Sequence, residues 1–322
     1  MNIPLLRQLR AANGAHRALT ELGRDVRQVH RDLDELEAFG FTIERHPLLG
    51  VAYRGPSERL CPDQIEFGLE PRRIGRRIAV WNRVASTNDL AARASGSRGN
   101  EGLVIVAEEQ SAGRGRRGRV WTAPPQSSIL MSVLLFPPET LAQPAWLTAL
   151  GALAAALVAE QFTGFPARIK WPNDVRVEGR KLAGVLVERG AGAVLGIGLN
   201  ANLGTNDFPE DLQQTATSLQ LILGASVDRS EVARALIERL DELYDQGLTH
   251  GPQALQESWR ARLESIGLRV RVQTTSGVLC GRLLDADLVS GLQMETGDGR
   301  DGRIATHEVV ALTCDDEPGA GI

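Results

Sequence analysis

A chain of 322 residues and 34.8 kDa is long enough for two or three domains with their own cores, and its 43% hydrophobic and 24% charged content is ordinary for a globular protein. A net charge of −4 and a pI near 5.8 exclude a protein that coats nucleic acid through bulk charge, so any such binding needs a local patch. Three cysteines, Cys61, Cys280 and Cys314, lie far apart without a CxxC pair, which excludes a disulfide framework or zinc site and points to a reducing compartment.

In chain order, the opening MNIPLLRQLR lacks the apolar core and cleavage site of a signal peptide, and a cytoplasmic protein is expected. Residues 3–10 predict a helix that Asn13-Gly14 stops. A short helical piece follows over about 15–22, and then GRDVRQVHRDLDELEAFG. There Val26, Val29, Leu33 and Leu36 make an apolar stripe at helical spacing, while Arg24, Arg27, Gln28 and Arg31 make another face on the early turns. FTIERHPLLGVAYRG reads as a hairpin, two alternating strands around a Pro/Gly turn. Three helices and a hairpin outline a winged helix-turn-helix over residues 1–55. The basic residues gather at the start of its third helix, where such motifs read the major groove, so Arg24, Arg27, Gln28 and Arg31 are the DNA-binding candidates. Acidic residues nearly balance them, which equally suits a plain helical domain with a solvated face. The middle helix is also short for a motif that needs a firm first helix.

RGPSERLCPDQIEFGLEPRRIG mixes Pro, Gly and charge without periodicity and reads as a linker over 56–72. Residues 73–266 predict an α+β domain on a mixed sheet. RIAVWNRVAS, GLVIVAEEQ, SSILMSVLLF, KLAGVLVE and AVLGIGLN are its strands. AWLTALGALAAALVAEQF, from Ala145, is too short and too rich in Ala and Gly for a membrane span and reads as a buried helix. Asp228 with Glu231 predicts a capping box for a helix over about 229–246, and Pro252 opens another, to about 264. From 267 to 322, short strands alternating with Gly-rich turns predict a small SH3-like barrel.

The most unusual stretch is GRGRRGRVW, residues 113–121. It nearly spells the phosphate-binding GxxxxGK[ST] loop, but Arg119 replaces the lysine and Val120 the hydroxyl that would hold magnesium. Arg/Gly segments that bind single strands are longer repeats in disordered regions. A merely solvated loop leaves Trp121 unexplained. An active-site loop for an anionic small molecule accounts for all three residue types: glycines permit approach and movement, arginines bind carboxylate or phosphate, and the aromatic stacks.

Other short stretches accompany it. ASTND (85–89) follows a strand and opens a helix; alone it is an N-cap. AEEQSAG puts Gln110 at a strand end, and KWPND (170–174) carries Asn173 and Asp174 in what would otherwise be a plain turn. GRKLAGVLVE (179–188) starts a strand with Lys181, by itself a solvated lysine, and Gly184 allows close approach. GIGLNANL (196–203) ends a strand with Asn200 and Asn202.

Taken together and in this order, STN, QSAGRGRRGRVW, KWPND, GRKLAG and GIGLN resemble the biotin–protein ligase family, from about residue 79 to the C-terminus. The N-terminal region resembles that of the bifunctional ligase/repressor subgroup. Lipoate ligases share the fold type but carry a different, histidine-containing glycine signature, which does not occur here. The resemblance implies a class II synthetase-like catalytic domain in which biotin attacks the α-phosphate of MgATP, giving biotinyl-5′-AMP. A lysine of a biotin carboxyl carrier domain then takes the biotinyl group. It implies that Ser86, Thr87 and Gln110 bind the ureido head with Asn88 alongside, and that Arg114, Gly115 and Arg116 wrap biotin, Arg116 or a neighbour at its carboxylate. Arg119 would face the phosphates, Trp121 flank the adenine, and Asn173 and Asn200 bind the nucleotide. Lys181 would stand between carboxylate and α-phosphate, and Asp174 would serve the magnesium or the incoming lysine. Lys181, Arg116 and Asp174 are thus the implied catalytic set, with the Mg2+ ligands otherwise unassigned. The subgroup adds operator DNA and a homodimer joined edge to edge through the catalytic sheets, and no membrane. The competing expectations are a regulator that uses biotinyl-AMP only as corepressor, and a lipoate or octanoate ligase.

Overall fold

The computed structural model describes residues 1–22, 25–296 and 301–314. The chain opens on α1 (Ile3–Ala11), whose first turn is capped by the Asn2 side chain accepting from the Leu5 N–H at 3.1 Å. With α2 (Val26–Phe39) and the hairpin β1 (Thr42–His46)–β2 (Gly50–Gly55), it closes a small core around Leu5, Leu9, Val29, Leu33, Leu36 and Val51. Val26, expected on that stripe, is exposed, because it begins the helix before α2 reaches its packing partners. The helix expected over 15–22 is also reduced, to a single 3-10 turn at Leu19–Leu22. Arg17 extends instead and exchanges two backbone hydrogen bonds with Val51, at 2.8 and 2.9 Å. Gly50 makes this pairing feasible: a Cβ there would lie 2.1 Å from the Arg17 carbonyl.

The stretch expected as a linker is a packed connection. It holds α3 (Pro62–Glu66), and its Cys61 belongs to the N-terminal core while Leu60 and Ile65 belong to the large one. The Asp63 carboxylate in α3 accepts from Arg7 at 2.6 Å and Arg10 at 3.0 Å, and the Arg10 guanidinium lies over Phe41, Tyr53 and Phe67.

Seven strands then form one mixed sheet in the order β3-β4-β5-β9-β8-β7-β6. They are β3 (Arg77–Val84), β4 (Leu103–Gln110), β5 (Ser128–Leu135), β6 (Ala167–Lys170), β7 (Asp174–Val177), β8 (Arg180–Arg189) and β9 (Ala193–Asn200). Only β3 and β4 run parallel; every other neighbouring pair is antiparallel. One face is covered by the expected apolar helix, α5 (Pro144–Thr163), and by α7 (Arg229–His250). Gly151 lets α5 press onto the sheet, since a Cβ there would lie 2.9 Å from Leu195 and Val185 side-chain carbons. Among the described residues α5 is the single helix long and apolar enough to cross a membrane, and here it is mostly buried against strands. The other face receives α4 (Thr87–Ala94), which packs Ala91 on Ile105, Leu134 and Val194. A short α6 (Leu219–Leu223) precedes α7, whose N-terminus is capped by the Asp228 carboxylate accepting from the Ser230 and Glu231 N–H groups, the Asp228 half of the expected capping box.

The next helix, α8 (Gln253–Arg260), stops short of 264 because the chain turns to pair with β6, Ile169 bonding to Arg262 and Glu264. The last strands, β10 (Arg269–Thr274), β11 (Gly277–Asp287), β12 (Gly291–Thr296), β13 (Asp301–Ile304) and β14 (Val309–Cys314), make an antiparallel sheet in the order β13-β12-β11-β10-β14. The barrel expected here is not closed: among the described residues no pairing joins β13 to β14. Val270, Val272 and Leu283 join Leu255 and Trp259 in the core of the large sheet, and that packing takes the place of closure. The architecture is α+β.

Candidate active site

The site lies on the α4 face of the large sheet, and a row of glycines makes its floor. Register aligns Asp174 of β7 with Gly184 of β8, Gly184 with Gly198 of β9, and Gly198 with Leu130 of β5. A Cβ on Gly198 would meet the Trp121 ring at 2.4 Å, and one on Gly184 would meet it at 3.0 Å. One pair further along, Gly196 would meet the Asn88 side chain at 2.4 Å. The indole and the Asn88 amide therefore rest directly on backbone, which no residue with a side chain would allow.

The 113–121 loop is a tight hairpin above this floor. Arg114 bridges to Val120, the Gly115 N–H donates to the Arg119 carbonyl at 2.7 Å, and the Trp121 N–H to that of Gly113 at 3.0 Å. Positive φ at Arg117 and Gly118, 58° and 74°, forms the tip. Its arginines diverge. Arg116 is half-buried and donates to the Asn173 carbonyl oxygen at 3.1 Å. Burial and the neighbouring charges of Arg117 and Arg119 lower its pKa, against the pull of Asp174, so this is a partly desolvated cation short of negative charge. Arg117 reaches the Val309 carbonyl of β14 at 3.5 Å, and Arg119 is exposed. Arg114 is committed elsewhere. Its guanidinium grips Glu188 through two nitrogens, at 3.0 and 3.1 Å, and Asp89 at 2.6 Å.

Lys181 reaches the same floor through a bulge. Between Val175 and Arg176 the register shifts by one, which brings the Lys181 side chain beside Gly184. Its ammonium sits 2.9 Å from Asp174 and 5.6 Å from the centre of a Trp121 ring. Its backbone is fixed by Thr215 and Thr217, at 2.7 and 2.8 Å. Asn173 donates to the Val185 carbonyl at 2.9 Å while accepting from Arg116, so Arg116, Asn173, Asp174, Lys181 and Trp121 form one cluster.

A polar chain runs from this cluster under α4. The Gln110 carbonyl oxygen accepts from the Thr87 N–H at 2.7 Å and lies 3.0 Å from its hydroxyl. The Ser132 hydroxyl lies 2.7 Å from Thr87 and 2.6 Å from the Asn88 carbonyl oxygen, and the Asn88 amide donates to Glu188 at 2.7 Å. Ser86 caps α4 by accepting from the Asn88 N–H at 3.3 Å. Ser132, Glu188 and Asp89 are members that sequence reasoning did not single out. The one available signal was a charge ending the GRKLAGVLVE strand.

Asn200 is buried and donates to the Thr217 carbonyl at 2.9 Å, while Asn202 turns away to clamp Val227. Buried polar atoms without a protein partner gather near this end: Trp121 Nε1, Ser128 Oγ opposite Asn200, and Thr217 Oγ1.

The model of the biotin/lipoate A/B protein ligase family matches residues 80–202, the span holding this machinery apart from Thr215 and Thr217. The bifunctional ligase/repressor BirA of Bacillus subtilis is 31% identical over 284 residues, covering 86% of this chain and 87% of that protein. The chain belongs to the biotin protein ligase family. Another member, the biotin–[acetyl-CoA-carboxylase] ligase of Mycobacterium tuberculosis, is 37% identical over 267 residues, 79% of this chain and 98% of its own. Among solved structures, the Aquifex aeolicus biotin protein ligase in complex with biotin and ATP superposes with a TM-score of 0.66 at 27% identity, over 74% of this chain and 99% of that one.

Two further groups of candidates lie outside the cluster of this biotin protein ligase family member. Arg27, Gln28 and Arg31 are exposed on the first turns of α2, with Gln28 accepting from Arg31 at 2.5 Å and donating to Asp32 at 2.9 Å. Arg24 lies outside the described residues. For a metal, the described residues contain no group of three or more His, Cys, Asp or Glu that could hold an ion.

Proposed function

We propose that the protein condenses biotin with ATP to biotinyl-5′-AMP and pyrophosphate, then passes the biotinyl group to a lysine of a biotin carboxyl carrier domain. One observation carries this reading: a half-buried Arg116 without a salt-bridge partner is held by Asn173, the neighbour of an Asp174–Lys181 pair seated beside the glycine floor. Two anions must meet for the first step, a carboxylate and a triphosphate, and cations that stay charged offset their repulsion. A carboxylate oxygen of biotin attacks the α-phosphorus and pyrophosphate leaves. Arg116 holds the carboxylate, Lys181 bridges it to the α-phosphate, and Arg119 meets the departing phosphates. In the second step the carrier amine attacks the acyl carbon, AMP leaves with the bonding pair, and Asp174 holds the incoming amine and takes its proton. Folded down, the loop keeps water from the mixed anhydride.

Thr87, Gln110 and Ser86 take the ureido head, with Asn88 braced beside them. Gly115 offers its backbone at the loop's root, and Trp121 flanks the bound molecule at its Lys181 end. Asn173, Asn200 and the unpartnered Thr217 and Ser128 hydroxyls serve the nucleotide. Among the described residues no group of three His, Cys, Asp or Glu is placed to hold a resident ion, and Mg2+ is read as arriving on the triphosphate, as part of the substrate.

The α1, Leu19–Leu22, α2 and hairpin unit reads as a winged helix-turn-helix, and the open C-terminal sheet as an SH3-like module. Relatives named ligase/repressors support operator binding through Arg24, Arg27, Gln28 and Arg31. The exposed edge strand β3, with Trp81 outward, offers the homodimer seam. Arg27→Ala with Arg31→Ala should abolish a salt-sensitive shift of the protein's own promoter; no shift by the wild type with biotinyl-AMP present would refute the repressor role.

Incubation with biotin and MgATP, followed by mass spectrometry, tests the main reading, with lipoate and octanoate in parallel tubes. Biotinyl-AMP from biotin alone is the expected result, and Lys181→Ala should slow it about 10²- to 10³-fold. Adenylate from lipoate or octanoate instead would favour the other ligase class. Adenylate bound but never transferred would favour a corepressor-only regulator.

A further inference from the structure

The Gln110–Thr87–Ser132–Asn88–Glu188 chain has a direction, and its far end sets it. Ser132 is fully buried between two acceptors, 2.7 Å from the Thr87 oxygen and 2.6 Å from the Asn88 carbonyl oxygen, yet its hydroxyl carries one proton. The Asn88 amide resolves the choice. Its nitrogen donates to Glu188 at 2.7 Å, and rotating the amide would press its oxygen against a carboxylate. That carboxylate is firmly ionised: burial alone would raise Glu188, but the hydrogen bonds from Arg114 and Asn88 outweigh it and hold the group below the usual range. The Asn88 oxygen therefore faces Ser132 and takes its proton. The Thr87 hydroxyl, receiving none from Ser132, donates to the Ser132 oxygen instead across the 2.7 Å contact, which leaves its own lone pairs for the head-group subsite. At the other end, the Gln110 oxygen is held by the Thr87 N–H at 2.7 Å, which turns Nε2 toward the loop root at Gly113. The pocket thus offers a donor from Gln110 beside an acceptor from Thr87, the complement of a carbonyl next to an N–H.

We infer that Glu188 is a positioning and specificity-determining residue for the head-group subsite. It locks the Asn88 amide in the orientation that gives this donor–acceptor pattern, and it pins Arg114 at the root of the arginine loop. The inference rests on the biotin ligase reading, since the head it describes is the cyclic urea of biotin. It also takes the Arg114 guanidinium, though not its backbone, out of direct contact with ligand, since Glu188 and Asp89 already fill it.

Glu188→Gln tests it, because a glutamine accepts either orientation of Asn88 and frees the Ser132 proton to turn toward Thr87. Initial rates of biotinyl-AMP formation, with each substrate varied in turn, should show the KM for biotin raised on the order of ten- to a hundredfold. KM for ATP and kcat should change by no more than about threefold, a split that general loosening would not give. Desthiobiotin, which keeps the urea but lacks the sulfur ring, should lose as much as biotin. Ser132→Ala takes away the acceptor of the Thr87 proton while leaving the Glu188–Arg114 grip intact, so that proton is released toward the ligand and the biotin loss should be reproduced; it also carries the test alone if Glu188→Gln melts more than a few degrees early. An active wild type whose biotin KM survives these substitutions would overturn the inference. A wild type that makes no biotinyl-AMP would instead remove the ligase reading, and this inference with it.

Discussion

Arg114 and Arg116 are two residues apart in one loop and have opposite electrostatic fates. Arg116 is surrounded by like charge and partly desolvated, so it waits for an anion. Arg114 is saturated by two carboxylates, and its pKa is raised by the hydrogen bonds to Asp89 and Glu188. The partners shift the other way: the Arg114 hydrogen bond lowers Asp89, and Glu188 is lowered despite its burial. Depressed carboxylates contribute stability that is complete above their unfolded pKa values and is lost as pH falls through the folded ones. Thermal melting of the wild type should therefore fall more steeply below about pH 4 than that of Arg114→Gln, which lacks the linkage. Parallel melting curves between pH 3 and pH 5 would refute it. Both carboxylates are more than a third exposed, so water screens the effect and it should be modest.

The β8–β9 pair acts as an element because its glycines recur on one face. Gly184, Gly196 and Gly198 each leave space that an indole, an amide or a lysine stem occupies. Gly198→Ala should force Trp121 off the floor, since the new methyl would lie 2.4 Å from the ring. Overpacking of this kind costs about 1–3 kcal/mol. The expected signature is a change in tryptophan emission together with loss of the thermal shift that biotin and MgATP give the wild type. An unchanged ligand-induced shift would mean the indole is not part of the site. Gly184→Ala, at 3.0 Å, should be milder.

Across the whole molecule, a buried ion pair joins segments that are far apart in the chain. Arg229, at the start of α7, donates to Glu108 of β4 at 2.6 Å and to the Glu58 carbonyl at 2.7 Å, while the other Glu108 oxygen accepts from the Leu60 N–H at 2.6 Å. Arg234 on the same helix holds the Gln64 carbonyl at 2.6 Å, and Arg7 and Arg10 hold Asp63. The connection between N-terminal unit and sheet is thereby fastened on both sides. Arg229→Ala should leave Glu108 buried without its charge partner, at a cost of about 3–5 kcal/mol in denaturant unfolding. Arg229→Lys should recover little, because an ammonium cannot span both acceptors as the fork does. Near-normal stability of either variant would show that the pair does not hold the junction.

By itself the sequence determined the chemistry-bearing pieces and the elements that carry them. Gln110 and Asn200 end strands, Lys181 starts one, Ser86 and Asp228 cap helices, and the Gly/Arg loop sits where the motif order placed it. Those signals are local, residing in turn residues, alternation and caps within a few positions of one another. Three matters were decided only by tertiary structure. The short second helix gave way because Arg17 found Val51, a pairing that a local propensity cannot report. The C-terminal strands stayed an open sheet because the large core took their apolar face. The polar chain joins Asn88 to Ser132 and Glu188, partners 44 and 100 residues distant. Contacts over such separations are selected by sheet register and burial of the whole chain, and a serine in an apolar strand or a glutamate at its end looks ordinary until the fold brings them together.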